Sequence, residues 1–348
     1  MVDVNDGGER VIAVTGVSGF LGQRLLPLLD ASPRVDRVIG LDVRDPARRA
    51  RKLEFHRTDV LGAELTPYLR GASAIVHLAA VPGPSPDDTL FRRVNVDGTR
   101  RLLDAAGAVG VRKIIRPSSA SVYGAWPNNP VPITEDTALR PSPHFLPAIV
   151  DAECERLLAG WAQAQHGRVG TRLRIAPVVG VGAHSLFAAV AIGRAPVRVR
   201  GAARPVQVVH VDDAAAALEI ATDKDLDGAF NVAADGWLTA EEVASLLPAR
   251  HAPALSYELA ERLLSAAWST GLGDAPASVL PYLVHPWVVG NDRLKAAGWK
   301  PQHSNDEAIL LATPLDGPSV VPWMVGAGAA VTAGGALGVW WIRRRFRA

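Results

Sequence analysis

The stretch Val11-Ile-Ala-Val-Thr-Gly-Val-Ser-Gly-Phe-Leu-Gly22 limits what this chain can fold into more than any other. Val11 to Val14 is a short apolar run that reads as a buried strand. Thr15-Gly16-x-x-Gly19-x-x-Gly22 breaks it, and apolar residues then recur with helical spacing at Phe20, Leu21, Leu25, Leu26, Leu28 and Leu29. Strand, glycine turn and helix in that order form the phosphate-binding unit of a dinucleotide fold. Gly16 permits a sharp turn with positive φ. Gly19 removes a Cβ that would block a pyrophosphate, and Gly22 lets the helix approach the strand. The pyrophosphate would rest on N–H groups at the positive end of the helix dipole. Thr15, Gly16, Ser18, Gly19, Phe20, Leu21 and Gly22 are therefore the expected cradle.

The downstream chain continues in the same rhythm. Val38-Ile-Gly-Leu-Asp42 reads as a second strand ending in an acid, about 20 residues beyond the turn, where a carboxylate meets the adenosine ribose hydroxyls. Asp42 would repel a 2′-phosphate and so favours NAD, while Arg44, Arg48 and Arg49 keep NADP open. A third strand, Leu53 to Val60, brings Asp59 and Val60 to its end. A fourth, Ala74 to Ala80, leads into the small-residue turn Leu78-Ala79-Ala80, with His77 read as a packed strand residue. Asn95 starts or lies within a helix running through Leu102, Leu103 and Ala106. A fifth strand, Arg112 to Ser118, precedes Ser118-Ser-Ala-Ser-Val-Tyr-Gly124. Repeated βαβ units predict a doubly wound parallel sheet of the Rossmann type.

The balance of charge narrows the function classes. The net charge is only +2 over 348 residues, so no electrostatic case for a nucleic-acid partner exists. An apolar share of 48% suffices for a substantial core. Cys154 is the only cysteine, which excludes an intrachain disulfide framework, and His and Cys lack metal-ligand spacing. Residues 1–10 are polar and acidic and do not read as a secretory signal.

The chain resembles the extended short-chain dehydrogenases/reductases, specifically the NAD-dependent epimerase/dehydratase family. The resemblance rests on the Thr15–Gly22 turn, Asp42, Asp59, His77-Leu-Ala-Ala80, Asn95-Val-x-Gly-Thr99 and Ser118-Ser-x-x-Val-Tyr-Gly124. Val209-His-Val-Asp-Asp213, Phe230-Asn-Val232 and Ala297-Gly-Trp-Lys-Pro301 extend it to about residue 312. It implies an NAD-binding domain over 1–179, a substrate lobe over 180–315 and a remaining segment, 316–348. Thr15, Gly16, Ser18, Gly19, Phe20, Leu21, Gly22, Asp42, Asp59, Val60, Leu78, Ala79, Ala80, Asn95 and Ser118 would face the cofactor. Ser119 matches the family serine that bonds the substrate oxygen. The family also uses a Tyr, and a Lys four residues later that lowers the Tyr pKa. The register set by Asp151-Ala-Glu-Cys-Glu-Arg-Leu-Leu158 places Pro147 at the Tyr and Asp151 at the Lys. No Tyr occurs between Tyr123 and Tyr257, and no Lys between Lys113 and Lys224. Three readings follow: a nucleotide-binding sensor, scaffold or assembly factor; an enzyme with a substitute acid/base among His144, Asp151, Glu153 and Tyr123, acting on a nucleotide sugar or lipid-like alcohol; or a structural protein without nucleotide.

In the later half, Arg172 to Val179 reads as the sixth strand. Arg198, Arg200, Arg204, Gln207 and His210 follow, and in nucleotide-sugar members an arginine here holds the substrate diphosphate; a surface hairpin is the alternative. Asp212-Asp213 opens a helix, and Thr239 with Glu242 forms a capping box. Residues 317–342 contain no charge, and Val320 to Ile342 is long enough to cross a bilayer. Trp323 and Trp340-Trp341 flank it, and Arg343-Arg-Arg-Phe-Arg347 follows. Gly326, Ala330, Gly334 and Gly338 form a small-residue stripe that permits helix pairing. The expectation is a membrane-attached protein with a cytoplasmic domain, partnered by membrane lipid, a membrane protein or a second copy. Four terminal arginines oppose the positive-inside tendency, so the segment either spans despite them or inserts with the arginines on anionic headgroups.

Overall fold

Seven parallel strands carry the molecule. The computed structural model describes residues 9–62, 64–183, 185–247 and 254–313. Strands β1 (Val11–Thr15), β2 (Arg37–Asp42), β3 (Leu53–Arg57), β4 (Ala74–His77), β5 (Lys113–Ser119) and β6 (Val169–Ile175) are joined at the edge by Gly228–Val232. The spatial order is β3-β2-β1-β4-β5-β6 and then Gly228–Val232, all parallel. The order reverses between β1 and β4, which opens the crevice where ligands of such sheets bind.

Both faces of the sheet are covered, which explains the near-continuous apolar strands. Along β1 the side chains alternate. Ile12 and Val14 pack with Leu25, Leu29 and Leu218, whereas Val11 and Ala13 pack with Leu102, Leu103 and Trp161. The helices Gly22–Ala31 and Val211–Asp223 thus cover one face, and Gly98–Ala108 and Leu146–Gln163 the other. Asn95 lies within a helix, in the π-helical segment Arg93–Asp97 that precedes Gly98–Ala108. The Thr239–Glu242 capping box is formed. Residues from 180 to 313 build further helices and short pairings, yet return Gly228–Val232 to the sheet edge.

Among the described residues, no helix is long and apolar enough to cross a membrane. The expected anchor at 320–342, with Gly326, Ala330, Gly334 and Gly338, lies outside them.

Candidate functional site

The glycine turn closes the carboxyl end of β1. Gly16 has φ +72°, and a Cβ there would stand 2.6 Å from the Ala79 nitrogen. A Cβ on Gly22 would stand 2.5 Å from the Gly16 and Val17 oxygens. Both glycines are demanded by the protein's own backbone. Gly19 differs: its Cβ would meet only the Gly16 oxygen, at 3.1 Å. Within the described residues, no backbone or side-chain acceptor holds the Phe20 or Leu21 N–H. An open glycine edge and donors at a helix start fit a pyrophosphate.

Several expected cofactor residues instead tie the cradle together. Ser18 is buried: its N–H donates to Asp42 Oδ2 at 2.9 Å and its hydroxyl to the Arg44 oxygen at 2.7 Å. Asp42 Oδ1 also accepts the Arg44 N–H at 3.0 Å, so this carboxylate fastens the turn to the end of β2. Asp59 is exposed and accepts its own Leu61 N–H at 2.9 Å, while Val60 is buried against Gly98. Asn95 brackets Val81, accepting its N–H at 2.8 Å and donating to its oxygen at 3.1 Å. That grip fixes the exit of the Leu78-Ala79-Ala80 turn beside the glycine loop. Ser18 and Asn95 are thus positioning residues, a distinction that motif spacing does not carry.

His77 is packed, as its place on a strand suggests. Thr99 donates its hydroxyl proton to the Asn95 oxygen at 2.6 Å, so its oxygen must accept at 3.1 Å from His77 Nε2–H. His77 Nδ1 is then an acceptor for the Thr15 hydroxyl at 2.7 Å, and Thr15 Oγ1 accepts Ala79 N–H at 3.2 Å. Burial, and then the Arg116 charge, pull the His77 pKa down to about 3. The ring is a neutral clamp.

The helix Leu146–Gln163 crosses β5 and β6 where the family places its Tyr and Lys. Pro147 occupies the first turn, where a missing N–H costs nothing. It packs so closely on Gly83 that a Cβ there would lie 2.7 Å from its Cγ. Asp151 and Glu155 are four apart and share the inward face. Arg116 and Ser118 of β5 and Arg174 of β6 point up at them. Arg116 binds Asp151 Oδ1 at 3.1 Å and the Pro117 oxygen at 2.9 Å. Burial lifts the Asp151 carboxyl, and the Arg116 charge opposes that shift. The lysine position is therefore filled by a carboxylate neutralised from the strand beneath.

One turn further, Glu155 takes the Ser118 hydroxyl at 2.6 Å and Arg174 Nη2 at 2.8 Å. Arg174 Nη1 reaches the Tyr123 hydroxyl at 2.7 Å, which donates to Asn231 Oδ1 at 2.8 Å. Both roles of that hydroxyl are used, and burial pushes the Tyr123 phenol up to about 12. Glu153 pairs with Arg92 at 3.1 Å. Among the four proposed substitutes, Tyr123, Asp151 and Glu153 are engaged within the fold, and His144 remains exposed, with φ 62°. Ser118, expected to face the cofactor, is held by Glu155. Ser119 caps the short turn Ala120–Tyr123 by accepting Ser121 N–H at 3.1 Å and keeps its own proton to donate.

An aromatic cluster follows further along the chain. Phe145, Phe187, Tyr282 and Trp287 form one ring cluster, with centroids 4.8 to 5.5 Å apart. Tyr282 is locked by donating to the Ser121 oxygen at 2.8 Å. The cavity left beside Ala120, Ala176 and Pro177 measures about 10 Å³, room for a single water. The expected basic cluster disperses. Gln207 is a buried clamp on the Ala234, Gly236 and Val289 oxygens. His210 caps the helix Val211–Asp223 and stacks on His303 at 4.1 Å. Of the set, Arg204 and Gln207 line this cavity. Among the described residues, no group of three His, Cys, Asp or Glu could hold a metal.

Known proteins share the family and the fold. An uncharacterized protein of Mycobacterium tuberculosis is 31% identical over 244 residues, 66% of this chain but only 63% of its own length. The UDP-glucose 4-epimerase of Mycolicibacterium smegmatis is 37% identical over 154 residues, 40% of this chain and 48% of that one. Two solved structures share the fold. The Thermus thermophilus UDP-glucose 4-epimerase complex with NAD has TM-score 0.65 and 23% identity, covering 87% of this chain and 97% of that one. The Bacillus cereus UDP-glucuronic acid 4-epimerase in complex with NAD has TM-score 0.67 and 19% identity, covering 86% and 96%. Residues 12–233 match the model of the NAD dependent epimerase/dehydratase family. With glycine cradle, switch-point crevice and family match coinciding, the chain belongs to the NAD-dependent epimerase/dehydratase family.

Proposed function

We propose that this chain binds NAD without running the family's Tyr–Lys chemistry, and works as a nucleotide-dependent sensor or scaffold held at a membrane by residues 320–342. The Phe20 and Leu21 N–H groups and the open edge of Gly19 would take the pyrophosphate, with Asp42 at the adenosine end. Bound NAD supplies a hydride acceptor at its nicotinamide. What this chain lacks is the proton-transfer partner: Asp151 sits in the lysine register and is neutralised by Arg116. That pair carries the reading.

The test uses the full chain in nanodiscs. NADH is titrated by energy transfer from tryptophan, with NADPH in parallel, and bound NAD is then challenged with nucleotide sugars and long-chain alcohols. Saturable NADH binding that Gly19→Asp abolishes, with no reduction of NAD, is expected. NADH formation with any of these substrates overturns the sensor reading. The left-handed, exposed His144 supports the alternative of an enzyme with a substitute acid, and loss of such an activity in His144→Ala would establish it.

A further inference from the structure

We propose that the cleft beside Arg204 binds a single-chain anionic lipid, the head on the guanidinium and the chain along an apolar wall. This goes beyond the nucleotide reading and does not depend on it. The cleft measures about 520 Å³ and is lined by Val131, Arg204, Pro205, Trp237, Val284 and Pro286, together with Ala203 and Thr239. Ligand sites of roughly 300–1,000 Å³ are usual.

The walls are held in place. Val206 and Leu238 exchange two backbone hydrogen bonds of 2.8 Å, which fixes Pro205 against Trp237. On the far side Ile133 donates to the Val288 oxygen at 2.8 Å, and Asn129 Nδ2 to the Pro286 oxygen at 2.8 Å. Gln207, with Nε2 on the Gly236 oxygen at 2.9 Å and Oε1 accepting Val289 N–H at 2.8 Å, ties the two walls together.

Arg204 asks for an anion. It is partly buried, its one protein bond is Nη1 to the Pro205 oxygen at 3.2 Å, and no carboxylate pairs with it among the described residues. Burial draws its pKa down to about 10, so it stays cationic at neutral pH. A guanidinium with open donors on an apolar wall recognises carboxylate or phosphate. The rest of the lining excludes a polyhydroxylated ligand. Thr239 caps its helix by accepting Glu242 N–H at 3.2 Å. The other side chains are aliphatic or proline, apart from the Trp237 ring, itself 39% exposed. Sugar hydroxyls against that wall would lose water without gaining partners. An acyl chain loses nothing there.

The test is photo-crosslinking of the full chain in phosphatidylcholine nanodiscs with diazirine-bearing palmitic acid, followed by peptide mapping. Label is expected on the segments carrying Val131, Trp237 or Val284–Pro286. Arg204→Gln should cut it about tenfold and Arg204→Lys far less, since a hydrogen bond to a charged group is worth about a factor of ten or more. The matching diazirine alcohol should label weakly. Val131→Trp, a change at an exposed position, fills the cleft with Arg204 intact and should also abolish label, and melting curves identify a variant that fails to fold. Competition by lysophosphatidic acid against palmitate decides whether the head is phosphate or carboxylate. Label confined to 320–342, label undiminished in both Arg204→Gln and Val131→Trp, or displacement by UDP but not by palmitate overturns the proposal.

Discussion

Removing one partner of the Arg116–Asp151 pair tests the site most directly. Arg116 is 7% exposed at its side chain and Asp151 25%. Asp151→Asn leaves a buried guanidinium with the Pro117 oxygen and the more distant Glu155. Breaking a buried pair costs about 3–5 kcal/mol, and water reaching Asp151 argues for the lower end. A loss of about 3 kcal/mol lowers Tm by roughly 6–12 °C in a domain of this size. Equilibrium urea unfolding followed by tryptophan fluorescence measures it. Arg116→Met with Asp151→Leu should recover most of the loss, because apolar replacement of such a pair is close to neutral. A double-mutant cycle with coupling below about 0.5 kcal/mol would refute the pairing. The same geometry sets the outcome of rebuilding the family site. Pro147→Tyr with Asp151→Lys puts a second cation against Arg116 and should be less stable than Asp151→Asn. Adding Arg116→Leu should restore folding, and that triple variant is the proper background in which to look for oxidoreductase activity.

Other perturbations follow from named contacts. His77 has a folded pKa near 3 against an ordinary 6.5, so between those values only the unfolded chain takes the proton. Its stabilisation is complete above about pH 6.5 and falls as pH drops, by about 1.4 kcal/mol per unit. His77→Gln should flatten that part of the urea-midpoint profile, and an unchanged profile would refute the neutral clamp. Gly16→Ala should prevent soluble folding, because its Cβ would meet the Ala79 nitrogen at 2.6 Å, whereas Gly19→Ala should fold and weaken NADH binding. Expression with a thermal melt and an NADH titration separate the two. Tyr123→Phe removes the hydroxyl between Arg174 and Asn231. It should cost about 2 kcal/mol in urea unfolding and leave NADH affinity unchanged; an equal loss of affinity would place Tyr123 at the nucleotide.

Local patterns in this chain were legible because their causes are local. The Val11–Gly22 unit and the Thr239–Glu242 box each depend on residues within one or two turns. The missing Tyr and Lys were equally plain from their absence over a long interval. What replaced them was not. Arg116 meets Asp151 across 35 positions, and the only hint is a charged residue inside an apolar strand, repeated at Arg174. The ring cluster draws Phe145, Phe187, Tyr282 and Trp287 from three separated stretches, so no spacing announces it. Ser18 and Asn95 occupy motif positions, but the partners of their side chains are backbone groups of other segments.

The glycine motif carries unequal weight as a sign of nucleotide binding. A Cβ at Gly16 or Gly22 collides with the protein's own main chain, at 2.6 and 2.5 Å. Those two residues would persist under selection for folding alone, whether or not any dinucleotide were bound. Asp42 is in the same position, since its carboxylate anchors Ser18 and Arg44 backbone groups. Gly19 is different, because little but one carbonyl restrains a side chain there, and the adjacent Phe20 and Leu21 N–H groups have no partner among the described residues. The inference to NAD therefore rests on Gly19 and those two donors more than on the full triplet. A chain that had lost its nucleotide would be free to drift at position 19 first, so substitution there is the sharpest separation of a working cradle from a fossil one.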